Sequence, residues 1–113
     1  MKRLSNGQIT HLKVLAQRIN ATVHVGKAGV SEAFLKGFEE ALVGQELVKV
    51  RFSEFKDEKK TLAAQMAEKT GGELIWIVGH IAVFYRENSD SAKRKITFPS
   101  ALTRPPHGDP AYR

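Results

Sequence analysis

The sequence predicts an α/β chain in the order αβαβαββ, a two-layer sandwich of three helices on a mixed four-stranded sheet. Three observations lead there. Segments with apolar residues at helical spacing alternate with short β-branched runs, so helices are available as right-handed crossovers between parallel or near-neighbour strands. The last two strand-like runs are separated only by Gly79-His80, too short for a crossover, so that pair is antiparallel. The chain has 113 residues, 42% of them apolar, and no cysteine, enough for one buried core without disulfide or thiolate–metal support.

The first helix is predicted over residues 6–20. Ile9, Leu12, Leu15, Ala16 and Ile19 recur at its spacing, Ser5 or Asn6 caps it, and Lys13 and Arg18 fall off the apolar stripe. Thr22 to Val25 is short, β-branched and closed by Gly26, hence a strand. Ser31 caps the second helix, with Glu32 well placed in its first turn and Phe34, Leu35, Phe38 and Leu42 on one side. Gly37 inside it costs about 1 kcal/mol relative to Ala, which packing has to offset. Leu47 to Phe52 alternates, with Val48, Val50 and Phe52 on one face and Lys49 and Arg51 on the other.

After the charged connector Phe55 to Glu58, the third helix covers 57–70 and ends at Gly71, with Leu62, Ala63, Met66 and Thr70 inward. Leu74 to Val78 is apolar on both faces and suits a central strand. Ile81 to Arg86 is its hairpin partner, and Ile96 to Phe98 is a candidate edge strand. The domain is expected over 1–99. Pro105, Pro106, Gly108 and Pro110 deny regular structure to 100–113, which is expected to be a disordered tail.

Charge narrows the function. The net charge is +6, and it is unevenly spread. Residues 1–30 hold Lys2, Arg3, Lys13, Arg18 and Lys27 with no acid, so +5; residues 31–70 carry −1 and residues 71–113 carry +2. A localised positive field favours a polyanion, and nucleic acid leads because phosphate contacts need no sequence reading. No apolar stretch approaches the roughly 18 residues of a membrane span, and the N-terminus lacks the core of a signal peptide. A cytoplasmic monomer is expected, with no membrane contact and no small-molecule substrate.

Gly26-Lys27-Ala28-Gly29 sits between a strand end and a helix start. Two glycines permit positive φ and let a ligand approach without a Cβ in the way. The first N–H groups of the next helix favour anions, and Lys27 adds a charge. This resembles the GxxG loop with which KH domains clamp a nucleic-acid backbone. It is not a P-loop, nor a dinucleotide fingerprint. Chemistry of other kinds finds little support. His11, His24, His80 and His107 show no metal-ligand spacing, and no diagnostic set of carboxylates or nucleophile and base appears. No catalytic residue, metal or cofactor is therefore assigned. Trp76 and Phe84 read as core, with Tyr85 less certain. Lys49 and Arg51 either extend a basic surface or are simply solvated.

A longer set of residues carries a family resemblance. Leu4-Ser5, Gln8, Leu12, Leu15 and Ala16 precede Val25 to Ser31. Ala41-Leu42 and Gln45 to Val50 follow, then Lys59-Lys60, Thr70 to Leu74, Val78-Gly79, Val83 to Arg86 and Ile96 to Pro99. In this order they resemble the CRM domain in its small stand-alone bacterial form, the YhbY family, over about residues 4–99. The resemblance implies an RNA-binding domain similar in fold to the C-terminal domain of bacterial translation initiation factor three. It further implies association with ribosomal RNA in precursors of the large subunit, and a role in ribosome assembly.

The family's loop maps onto Gly26, Lys27, Ala28 and Gly29, with Ser31 beside it. Family members commonly carry a Lys-Gln-Arg run early in the first helix, where this chain reads Gly7-Gln8-Ile9. That leaves Lys2, Arg3, Lys13 and Arg18 to supply charge, with Lys49 and Arg51 as further candidates. The alternative is a protein-interaction module on the ribosome or its precursors that uses the acidic face of the second helix.

Overall fold

The computed structural model describes residues 4–98. Lys2, Arg3 and the expected tail over 100–113 lie outside them. Helix α1 (Asn6–Ala16) opens with a reciprocal cap: the Ser5 hydroxyl accepts from the Gln8 N–H at 3.1 Å, and the Gln8 side chain accepts from the Ser5 N–H at 2.8 Å. The helix stops before the expected residue 20. Arg18 and Ile19 donate to carbonyls three residues back rather than four, which tightens the chain into a turn. The Lys49 ammonium then takes the Ile19 carbonyl at 3.0 Å.

Strand β1 (Val23–Val25) leads through the glycine turn into α2 (Glu32–Gln45), capped by Ser31 as expected, and then β2 (Leu47–Phe52). A 3-10 turn over Lys56–Glu58 precedes α3 (Lys59–Thr70), which Gly71 ends at φ +72°. Strands β3 (Glu73–Val78) and β4 (Ile81–Tyr85) form the expected hairpin. The sheet order is β1-β2-β4-β3; β1 and β2 are parallel, and both β2–β4 and β3–β4 are antiparallel.

Expected features are altered in three further places. The doubly apolar β3 is an edge strand, not a central one. It is apolar on both sides because both faces of the sheet are covered. Leu74 and Ile77 join the core under α2 and α3, Ile75 and Trp76 join the cluster under α1, and a register shift between Leu74 and Trp76 accommodates the extra residue. The helices accordingly divide two and one between the faces, so α1 adds a partial third layer. Residues 96–98 form no strand. Ile96 and Phe98 pack on the α1 side, while the N–H groups of Lys95 and Ile96 go to a carboxylate instead of a neighbouring strand.

The larger core joins Phe38, Leu42, Val48, Val50, Phe52, Met66 and Phe84, with Phe38 edge-on to Phe84 at 4.8 Å. Burying Phe38 and Leu42 is worth ~2 kcal/mol or more each, which outweighs the ~1 kcal/mol cost of Gly37 in the same helix. The smaller core joins Leu12, Ala16, Leu47, Val83 and Tyr85.

Between them lies Glu46, fully buried and at φ +65° just past the end of α2. Its carboxylate accepts from the N–H groups of Asn88 (2.7 Å), Lys95 (2.7 Å) and Ile96 (2.9 Å). The segment after β4 is thereby fastened to the sheet by charge-assisted bonds. Burial, and then the nearby Glu46 and Glu87 charges, raise the Tyr85 phenol well above its ordinary range.

Candidate nucleic-acid interface

The glycine turn is closed by one backbone bond, from the Gly29 N–H to the Gly26 carbonyl at 3.0 Å. Lys27 and Ala28 stand exposed at its tip. Lys27 takes part in neither ion pair found among the described residues, which are Arg86–Glu39 and Arg94–Glu87. The two glycines differ. Gly29 has φ +70° and is buried, and a Cβ there would stand 3.2 Å from the Phe55 ring. Gly26 lies outside the left-handed region and faces open space. The expectation that both glycines serve positive φ therefore holds only for Gly29.

Ser31 Oγ accepts from the Phe34 N–H at 3.1 Å and so caps the helix. The remaining N–H groups of the first turn of α2 have no carbonyl four residues back and carry the positive end of the helix dipole. The loop after β2 is stitched alongside, because Ser53 and Glu54 both donate to the Val25 carbonyl, at 3.1 and 3.2 Å. Arg51 is exposed and stands beside His24, two residues before Gly26. By strand alternation it lies on the α1 side of the sheet, beyond the reach of that helix.

The other basic candidates are elsewhere. Arg18 lines a groove with Gln45, Leu47 and Ile96 near the far end of α2. That helix has 14 residues, so its ends stand about 21 Å apart. The Lys13 ammonium rests over the Trp76 ring, 5.2 Å from its centroid, on the strand farthest from β1. Three strand spacings make that separation about 14 Å. Lys49 caps the Ile19 carbonyl. The structure thus keeps Gly26 to Ser31 together, sets Arg51 beside His24 on the α1 face of the sheet, and leaves Lys13, Arg18 and Lys49 apart from the turn.

Phe84 and Tyr85 are buried and offer no open ring, while Trp76 is partly buried under Lys13. On the acidic side of α2, Glu39 is engaged by Arg86 at 3.1 Å. Sequence reasoning passed over Phe55 and assigned no role to Glu46. The only local sign of Phe55 was a lone aromatic in a charged connector.

The CRS1 / YhbY (CRM) domain model matches residues 4–86. The chain belongs to the CRM domain family. An RNA-binding protein of Haemophilus influenzae is 34% identical over 100 residues, covering 88% of this chain and 98% of its own length. YqeI of Bacillus subtilis is 27% identical over 94 residues, covering 82% and 98%. The solution structure of SAV1595 from Staphylococcus aureus superposes with a TM-score of 0.68 at 32% identity, covering 84% of this CRM protein and all of that chain.

Proposed function

We propose that this CRM protein binds RNA without catalysing a reaction, and that its target is ribosomal RNA in precursors of the large subunit, during assembly in the cytoplasm. The observation that carries the reading is the uncommitted, exposed Lys27 held between two glycines at the start of α2. The same turn is where the family resemblance expects an RNA contact. One or two phosphates approach the exposed backbone of Gly26 to Ala28. The first turn of α2 and Lys27 neutralise them, and Arg51 extends the contact along the sheet.

Lys13 and Arg18 are too distant to grip the same nucleotides. They act as outlying contacts for an RNA folded broadly enough to span about 20 Å, the length of α2. This favours a structured RNA over a short extended strand as the full-affinity partner. The test is crosslinking in cells with sequencing of the attached RNA, combined with gradient fractionation. Crosslinks to ribosomal RNA in fractions carrying immature large subunits are expected. Crosslinks confined to messenger or transfer RNA would refute the proposed target, and capture of a protein partner that survives nuclease treatment would favour the protein-interaction reading.

A further inference from the structure

Phe55 adopts φ +56° and ψ +38°, a left-handed conformation unusual for a bulky side chain. Glu46, the other non-glycine residue with positive φ among those described, has three hydrogen bonds that account for its position. The Phe55 carbonyl accepts from the Glu58 N–H at 3.1 Å, which closes the 3-10 turn, while its side chain takes no part in the cap. One part of its ring lies against Gly29, whose missing Cβ makes room for it, and 42% of the residue remains exposed. An aromatic ring is thus braced against the phosphate-facing turn by a glycine and presented to solvent. Retained backbone strain of this kind points to a use for the side chain beyond packing.

We infer that Phe55 is a stacking platform for an unpaired RNA base whose own or adjoining phosphate sits on the Gly26–Gly29 turn. The inference rests on the RNA reading of that turn and adds the class of nucleotide that fits there. Base–aromatic stacking requires a free π-face, which a paired base inside a duplex does not offer. Glu54, Asp57 and Glu58 flank the ring in the chain together with Lys56, Lys59 and Lys60, so the local charge balances and the ring itself distinguishes this spot from the turn. The partner is therefore an RNA with a bulged, looped or single-stranded nucleotide at this point.

The test compares the full chain with its Phe55→Leu, Phe55→Trp and Lys27→Ala variants. The probes are single-stranded oligouridine and a blunt RNA duplex of equal length, at one fixed salt concentration. Leucine keeps apolar cover over Gly29, so a change in folding is separated from a loss of stacking, and melting temperatures are read alongside. Phe55→Leu is expected to weaken binding of the single strand about tenfold and of the duplex hardly at all. Phe55→Trp should bind the single strand at least as well as the parent. Ultraviolet crosslinking with mass spectrometry should place a uridine on Phe55.

Equal single-strand affinity for the parent and Phe55→Leu would overturn the inference. So would an equal loss on both probes, or a crosslink map that omits Phe55. The Lys27→Ala arm keeps the two readings apart. If that variant loses affinity while Phe55→Leu does not, the turn stands and the stacking falls. If the parent binds neither probe, the stacking falls, while the reading of the turn is decided by the crosslinking in cells.

Discussion

The two glycines of the turn make opposite predictions from the same substitution. Gly29→Ala puts a side chain at φ +70°, which costs about 1–2 kcal/mol, and sets its Cβ 3.2 Å from the Phe55 ring, which has to shift. A total near 2 kcal/mol lowers the melting temperature by about 10 °C for a domain of this size. Gly26→Ala meets nothing within 4 Å and lies outside the left-handed region, so the fold accepts it. Restricting the unfolded chain even adds about 0.4–1 kcal/mol of stability.

RNA binding should respond differently. On the proposed reading a methyl group at Gly26 obstructs the phosphate, and losing one charge-assisted contact of ~1.5 kcal/mol is expected to weaken affinity about tenfold. The assays are thermal unfolding by circular dichroism and filter binding of RNA at fixed salt. If Gly29→Ala melts with the parent, the steric account of the turn is wrong. If Gly26→Ala is stable and binds RNA normally, the phosphate does not approach this backbone.

Further outcomes follow from the same structure. Lys27→Ala should reduce affinity for all RNA sequences alike, leave the melting temperature within about 2 °C, and make the log–log salt slope shallower by about 0.7, as measured by titration across salt concentrations. With ~4–6 phosphates contacted, the parent slope for single-stranded RNA should be near −3 to −4, and a flat response would exclude the mechanism. Glu46→Gln leaves one oxygen and an amide facing three backbone donors, so it should lower stability by about 2–4 kcal/mol in urea and speed amide exchange over residues 88–96; an unchanged midpoint would count against the buried clamp. The raised Tyr85 pKa means that the folded state resists ionising the phenol. Its contribution is complete below the ordinary phenol value near 10 and is lost as pH rises past it, so Tyr85→Phe should unfold less readily in alkali than the parent.

Much of the fold was legible because its signals are local. Ser5 and Ser31 cap helices, Gly71 ends one, and Gly79-His80 forces a hairpin, each within a few residues of chain. What local pattern does not encode is which strands become neighbours. The apolar run in β3 gave burial correctly and position incorrectly, since an edge strand covered on both faces reads like a central one. The site divided in the same way. The turn and its lysine are contiguous in sequence and stay together in space. Lys13 and Arg18 share the acid-free stretch with Lys27, but Lys13 lies on α1 and Arg18 in the turn after it, and β1 carries the chain away from both before the glycine turn. Phe55 reaches the turn only because β1 and β2 run parallel and bring their outgoing loops side by side.

The Glu46 clamp bears on where this domain stops. The family model reaches residue 86, yet all three amides that neutralise the buried carboxylate come from residues 88–96. A chain trimmed at the edge of the family match would lose all three donors and leave the carboxylate to water. Keeping the clamp when this protein is shortened or fused therefore means joining beyond Ile96.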